Sequence, residues 1–400
     1  MASASNPIPL YAARQPFYAP AFEIKLSGSP APSKVMRDIM EVTYEDSVEK
    51  IDSFTLTVNN WDAENRTLKY VGTNPSGPDA GNAKLFEPGS QVLLSMGYQG
   101  DIRPIIAGLI TTVDVEYAES GSSRLTVRGL NVLDRLRRKQ YTWSWPEDKK
   151  SGGIRDSDIA TALSPKANDQ TGKPGLDIKV VTDSQAASSE PLNPNVFMYN
   201  QYPIVFLMGR ARRLGYSLFI GQDDSGKDYL YFGPSQDLRQ VTYVLEWGKS
   251  HASFHPTYAT ARQLQSVTVR GWDRKAKKPI EGKATLDDIK NINADLRAVA
   301  RAANREDVVV EESIQTPTQA TDRAKKILEQ RQRELIDASG TTVGLPDLRC
   351  GRVMVIRSTG QPFDGQYFIK ETTHTINDQG YRTTFRAHRE GPETQRGKQA

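Results

Sequence analysis

The sequence predicts a mainly β chain, α+β overall, with two β-barrels and a small α+β domain between them. A strand pattern that occurs twice carries this expectation. The early copy reads Phe86-Glu-Pro88-Gly89-Ser-Gln-Val-Leu-Leu-Ser-Met-Gly97-Tyr, then Ile105-Ile-Ala-Gly108-Leu-Ile-Thr-Thr-Val, then Arg124-Leu-Thr-Val-Arg-Gly129. The late copy reads Leu348-Arg-Cys-Gly351-Arg-Val-Met-Val-Ile, then Phe363-Asp-Gly365-Gln-Tyr-Phe-Ile-Lys-Glu-Thr-Thr-His-Thr-Ile, then Tyr381-Arg-Thr-Thr-Phe after a turn at Asp378-Gln-Gly380. Each is a glycine-led strand, a glycine-marked connection, a second strand and a hairpin into a third. A second observation is length, because 400 residues exceed what one growing core holds and point to two or three domains.

Residues 1–20 are rich in Pro, Ala and Ser and read as an N-terminal arm. The first barrel is assigned to residues 21–140. Ala21-Phe-Glu-Ile-Lys-Leu, Ile39-Met-Glu-Val-Thr-Tyr and Ser53-Phe-Thr-Leu-Thr-Val-Asn alternate with period two, as half-buried strands do. With the three strands of the early copy they make six, enough to close a small barrel or sandwich. The turn residues between Trp61 and Lys84 predict a long surface loop.

Residues 141–240 are assigned to the small α+β domain. Asp156-Ser-Asp-Ile-Ala-Thr-Ala-Leu predicts a short helix capped by the Asp156 carboxylate. Pro203-Ile-Val-Phe-Leu-Met-Gly-Arg-Ala-Arg-Arg-Leu-Gly215 predicts a longer one, with Pro in the first turn, Arg late and Gly at the stop. Tyr216-Ser-Leu-Phe-Ile and Asp228-Tyr-Leu-Tyr-Phe predict a hairpin around residues 223–226. The second barrel, residues 241–390, opens with Thr242-Tyr-Val-Leu-Glu-Trp, and Gln265-Ser-Val-Thr-Val-Arg-Gly-Trp-Asp is its clearest strand. The basic stretch 274–278 reads as an exposed turn. A helix is predicted over 318–336 with Ala320, Ala324, Ile327, Leu328 and Leu335 as its apolar stripe, lying on the six-strand unit. Residues 391–400 form a tail.

Chemistry is thin. Lys plus Arg exceed Asp plus Glu by 52 to 48, a scattered +4 that gives no footprint for specific nucleic-acid binding. Cys350 is the single cysteine, which excludes an intrachain disulfide and suits a reducing cytoplasm. The first residues lack a basic start and an apolar run, so no signal peptide is expected, nor any membrane anchor. Of four histidines, His251 and His255 have a helical metal-pair spacing, but Gly248 and Pro256 flank them, and a structural role is expected. His374 falls in a strand and His388 near its frayed end. The carboxylate pairs Asp223–Asp224 and Asp287–Asp288 lie in turn sequence. There is no Gly-x-Ser-x-Gly, phosphate loop or His-Glu-x-x-His. No catalytic, cofactor-binding or metal residue is nominated, and no cofactor is expected. The basic runs 135–139 and 274–278 read as solvated loop ends, without the interleaved aromatics of single-strand binders.

The order Pro88-Gly89, Gly97, Gly108, Gly129, then Gly271-Trp272-Asp273, Gly351 and Gly365 resembles the late control protein D family of contractile phages. That family includes the baseplate hub and is similar to the hub portion of type VI secretion spike proteins. The resemblance spans about residues 21–389. It implies a homotrimeric hub in which each subunit gives two tail-tube-like barrels, so that three chains form a ring joining a sixfold tail tube to a threefold spike. It also implies a tail tube or tube-initiator protein above, a separate spike below, since only residues 391–400 follow the last strand, and baseplate wedge proteins beside it. The expected location is the baseplate of a virion or injection particle assembled in the bacterial cytoplasm. The alternative is a cell-wall-penetration enzyme, or a peptidoglycan-binding component, carried by the middle domain.

Overall fold

The computed structural model describes residues 8–9, 19–48, 50–71, 85–119, 122–131, 137, 139–147, 152–222, 228–234, 241–249, 253–259, 263–273, 276–289, 298, 301–302, 304–311, 314, 316–333 and 335–389. The first unit has the six expected strands: β1 (Pro20–Leu26), β2 (Ile39–Ser47), β3 (Ser53–Asn59), β4 (Gln91–Tyr98), β5 (Asp101–Glu116) and β6 (Arg124–Asn131). Helix α1 (Ser33–Asp38) precedes β2. Pairing runs β2-β3-β6-β5-β4-β1, all antiparallel. Alternation along β3 buries Phe54, Leu56 and Val58, which meet Leu94, Met96, Leu125 and Val127 in one core. Of the expected loop 61–84, residues 72–84 lie outside the described residues; the part before them carries a two-residue ladder, Trp61–Asp62 with Thr67–Leu68.

The middle unit contains β7 (Tyr141–Trp145), α2 (Asp156–Ala162), β8 (Lys179–Thr182), α3 (Ser184–Ser188), β9 (Val196–Gln201), α4 (Pro203–Leu214), β10 (Ser217–Gln222) and β11 (Asp228–Gly233). Helix α4 starts on Pro203 and stops at Gly215, whose φ of +70° is the left-handed turn that glycine adopts without strain. The hairpin β10–β11 is present, its tip at residues 223–227 outside the described ones. Asp156 does not cap α2. Arg155 holds the cap position, Asp158 accepts its backbone N–H, and the Asp156 carboxylate is drawn instead to Arg210 at 2.5 Å.

The last third contains β12 (Val241–Glu246), β13 (Ser253–Tyr258), β14 (Ser266–Asp273), β15 (Lys278–Thr285), β16 (Glu306–Val310), α5 (Pro317–Arg333), β17 (Ile336–Val343), β18 (Val353–Arg357), β19 (Gly365–Asn377) and β20 (Gly380–Arg389). Six of these strands repeat the first unit in both chain order and spatial order: β13-β17-β20-β19-β18-β12 matches β2-β3-β6-β5-β4-β1. The match reaches single bonds. Gly89 and Gly351, both at positive φ (+93° and +79°), donate to Ile110 O and Ile369 O at 2.7 and 2.9 Å, and those isoleucines donate back to Ser90 O and Arg352 O. Immediately after each isoleucine the strand bulges, at Thr111 and at Lys370. One strand breaks the repeat, because β1 is antiparallel to β4 whereas β12 is parallel to β18.

The helix near residue 320 differs from the expectation in two ways. It ends at Arg333, so Leu335 belongs to the core of the second six-strand unit and Ile336 opens β17, a strand not expected from sequence. It packs on an inserted sheet, β15-β14-β16, that has its own core of Val267, Val269, Ile280, Ala284, Ala320, Ala324 and Leu328, rather than on the six strands. Part of the predicted basic turn, from Lys278, is the start of β15. Close approach explains the docking: a Cβ on Gly282 would lie 2.3 Å from Thr321 N. Arg323 then ties α5 to Glu311 at 2.7 Å and to the Arg213 carbonyl at the end of α4 at 2.7 Å.

Gly282→Val is expected to force α5 off its sheet at a cost of about 1–3 kcal/mol. Gly209→Ala, on the exposed face of α4 with open space around it, is expected to stabilise by about 0.5–1 kcal/mol. Urea unfolding followed by circular dichroism checks both, and a neutral Gly282→Val would contradict the packing.

Candidate functional site

The site is the joint between the two six-strand units, formed by the single strand β19. One edge of β19 pairs with β20 along its length. The other edge is shared: residues 365–368 pair with β18, and beyond the bulge residues 371–376 pair antiparallel with residues 42–47 of β2. The two units are thereby one continuous 14-stranded sheet.

The alternation of β2 turns Val42, Tyr44 and Asp46 inward, and that of β19 turns Thr372, His374 and Ile376 inward. Asp46 is 1% exposed. Its carboxylate accepts from Arg349 Nε at 2.6 Å, from the Cys350 N–H at 3.2 Å and from the Thr372 hydroxyl. Arg349 also donates to Tyr44 Oη and to the Ile105 carbonyl at 3.3 Å, with its guanidinium 4.7 Å above the Tyr44 ring. One side chain from the turn before β18 therefore grips both β2 and β5 of the other unit. A buried charge pair is tolerable only when its remaining donors and acceptors are engaged, which is the case here.

Around this pair sit two buried titratable groups. Asp52 accepts from Asn131 Nδ2 at 2.8 Å, and burial together with the nearby Asp46 charge pushes its pKa up to about 7. His374 is fully buried, and burial pulls its pKa down to about 4, so it is neutral. The Leu348 carbonyl, 3.1 Å from Nε2, can only accept, which assigns the proton to Nε2 and leaves Nδ1 to accept from Tyr381 Oη at 3.0 Å. Tyr98 completes the contact by donating to Gly344 O at 2.9 Å. At the rim, Arg103 bridges Asp101 and Asp347, and Lys50 pairs with Glu371 at 2.9 Å; such exposed pairs add little.

The joint is closed to solvent at Asp46, Cys350 and His374, so its chemistry is cohesion. Cys350 lies beneath Phe219 and Tyr231 of the middle unit, and burial pushes its thiol well above the usual range. Elsewhere, Asp156 is taken by Arg210 and so ties α2 to α4, while Glu190 accepts from Ser157 N at 2.9 Å and Ser157 Oγ at 2.5 Å and so satisfies the first turn of α2. Among the described residues no group of three or more His, Cys, Asp or Glu is placed to hold a metal ion. His255 lies in strand β13, not on a helix, and His251 lies outside the described residues.

The landmark residues do not converge. Pro88 and Gly89 form the turn into β4, Gly97 is its next-to-last residue and lies against the Asp101 carbonyl, and Gly108 and Gly129 sit opposite close backbone or the Phe54 ring. Gly271, Trp272 and Asp273 belong to the inserted sheet, with Trp272 53% exposed. Gly351 and Gly365 flank β18 at positive φ. The residues that make the joint, Tyr44, Asp46, Arg349 and Thr372, were not singled out by sequence. The signal was an aspartate on the inward phase of an apolar strand.

A family model described as the Alg8 N-terminal domain matches residues 19–378. The chain belongs to this family. The description of the Alg8 N-terminal domain family specifies neither a reaction nor an assembly, and the fold says more. The 43 kDa tail protein of prophage MuSo2 from Shewanella oneidensis superposes with a TM-score of 0.63 at 15% identity, over 93% of this chain and 98% of that one. A tail protein from Neisseria meningitidis MC58 gives 0.60 at 13% identity, over 93% and 97%. The c3393 protein of E. coli, a type VI secretion component described as similar to T4 tail proteins gp27 and gp5, gives 0.53 at 12%, over 94% and 79%. No curated protein matches the sequence. This Alg8 N-terminal domain family member thus has the fold of these phage tail proteins. No helix among the described residues is long and apolar enough to cross a membrane.

Arg349→Met is expected to leave Asp46 buried without its cation and to cost about 3–5 kcal/mol, part of it recovered in Arg349→Met/Asp46→Leu. The pH dependence has two opposed parts. Between the ordinary 6.5 and the folded value near 4, the unfolded chain binds a proton that His374 in the folded chain refuses, so stability is lost as pH falls through that window, by roughly 3 kcal/mol. Asp52, raised from 3.8 to about 7, binds its proton earlier in the folded chain, so its contribution rises as pH falls through that range. His374→Gln and Asp52→Asn separate them. In urea titrations from pH 7 to 4, the advantage of wild type over His374→Gln is expected to shrink, and a constant difference would refute the buried neutral imidazole.

Proposed function

We propose that the chain is a non-enzymatic structural hub of a contractile phage tail or phage-tail-like injection particle. In this reading it is a homotrimer whose six β-units form a pseudo-sixfold ring between the sixfold tail tube and a threefold spike. The observation that carries it is the duplication: two six-strand units with the same chain order and the same pairing order, fixed to one another by a buried joint. A protein with two such units is what an adapter between sixfold and threefold partners requires, because three copies then present six similar surfaces. The tail-protein fold supports the same assignment. A tube or tube-initiator protein on one side, a separate spike on the other and baseplate wedge proteins around it are the partners this reading assigns, in the baseplate of a particle assembled in the bacterial cytoplasm. The landmark glycines act as backbone fixtures of the strands, and the expected domain limits, 21–140, 141–240 and 241–390, stand as part of the proposal.

Native mass spectrometry of the purified chain is expected to give the mass of three chains, and electron microscopy of the particle is expected to place it at the tube's end. A chain that stays monomeric and never enters a particle would sink the proposal.

A further inference from the structure

A cavity of about 160 Å³ lies where three parts of the chain meet: the end of α4 with the start of β10, the middle of α5, and the paired strands β19 and β20. One water needs roughly 10–15 Å³ of such space, so the cavity has room for more than a bridging water. Arg212 enters from α4, Ser217 from β10, Lys326 from α5, Lys370 from β19 and His388 from β20. Against the Lys and Arg side chains the lining sets a single carboxylate, Glu329.

The cations differ in what they already hold. Lys370 is committed to Asp337 at 2.8 Å. Lys326 is half-buried, and among the described residues no carboxylate lies within ion-pair distance of it. The acidic groups whose charge reaches Lys326 are Glu190 and Asp156 of the middle unit and Asp322 and Glu329 of its own helix. Two of these are engaged elsewhere, Glu190 by Ser157 and Asp156 by Arg210. Burial pushes the Lys326 ammonium below the ordinary lysine pKa, as expected of a cation that has lost water and gained no contact in exchange. Arg212, exposed at the cavity's edge, also has no carboxylate within ion-pair distance among the described residues. With Lys370 neutralised by Asp337, Lys326 and Arg212 still outnumber Glu329, and the lining is net positive.

We propose that this cavity binds a small oxyanion of the phosphate class, held by Lys326 and Arg212 with the Ser217 hydroxyl beside them. A desolvated ammonium is costly until it is paired, and an anion in this cavity supplies the missing partner. The donors come from separate elements, which suits a tetrahedral anion with oxygens on every side. A carboxylate has two oxygens in one plane and is matched by a single guanidinium fork. Close by, Arg323 of α5 already donates to the Arg213 carbonyl at 2.7 Å, so the walls are set before the anion arrives and little ordering is left to offset binding. The site stands whether or not the chain is a hub.

The probe is inorganic phosphate, titrated into the full-length protein at constant ionic strength by isothermal titration calorimetry. Saturable binding is expected, weakened at least about tenfold in Lys326→Met, which keeps an apolar stem and removes the charge. Arg212→Gln, at the exposed edge, is expected to weaken binding about threefold, and it carries the comparison should Lys326→Met fail to fold. Phosphate is also expected to raise the thermal midpoint of wild type by about 2 °C more than that of Lys326→Met. The difference is the readout, because exclusion of phosphate from the surface stabilises both proteins alike. In phosphate-free buffer Lys326→Met is expected to be at least as stable as wild type, since an uncompensated cation has gone. Absence of saturable binding, equal affinity in wild type and both variants, or equal affinity for acetate overturns the proposal. So does a marked loss of stability in phosphate-free Lys326→Met, which would mean that the chain itself satisfies Lys326.

Discussion

The architecture depends on one buried ion pair, Asp46 with Arg349. Each strand unit has its own core, yet the strand that joins them, β19, spends its first residues inside its own unit and the rest on its neighbour. A ladder of six residue pairs does not by itself fix the angle between two curved sheets. Arg349 does so by bonding Asp46 on β2, Tyr44 on β2 and Ile105 on β5 from a turn in the other unit. Apolar packing at the same place would tolerate sliding, because it has no preferred direction. Fixed donors and acceptors in a dry site penalise any displacement that breaks them. A chain that must hold two units at a set rotation has reason to retain a charged pair that costs desolvation.

The same logic explains why the joint is polar only at its centre. Ile376 and Tyr381 of the second unit enter the first unit's core, so the joint is continuous with apolar burial on one side. On the other, Cys350 and Gly351 lie under Phe219 of the middle unit, where a Cβ on Gly351 would stand 2.7 Å from the ring. The middle unit thus closes the outside of the joint and keeps water from the Asp46 carboxylate. The closure accounts for the directions in which Asp52 and His374 are pushed: burial disfavours the charged form of each.

The first unit was legible because its strands alternate strictly and its turns carry glycine, as in Ser53–Asn59 and the Pro88-Gly89 turn. The second unit was less so, for reasons specific to its residues. Ile336–Val343 offers Asp337, Ser339 and Gly340, which read as turn, while the buried phase runs through Ile336, Ala338, Gly340 and Thr342. Ser253–Tyr258 contains Pro256, which argues against an inner strand and is allowed at an edge. The joint was illegible for a deeper reason. Whether Asp46 is a solvated strand end or a buried anion depends on which distant strand covers it, and strand pairing across the whole chain leaves no local periodicity. The repeated glycines nevertheless marked the right place, since they sit where each copy bulges, and in the second copy the residues just past the bulge are the ones that pair with β2.

The single break in the repeat bears on symmetry. In the first unit β1 runs antiparallel to β4 and carries a short hairpin partner at Ser29–Pro30, whereas in the second β12 runs parallel to β18 and receives Ile8–Pro9, also in parallel. The two units therefore share the surfaces formed by their other five strands and differ at this edge. In a ring of the proposed kind, a partner reading the common strands meets six similar positions, and one reading the β1 or β12 edge meets two alternating kinds. An adapter needs that distinction, because six identical units would give a spike no reason to choose a threefold arrangement. A β-strand reversed in one copy supplies it without disturbing the joint, which uses β2 at the far end of the first unit's strand order and β19 in the interior of the second's.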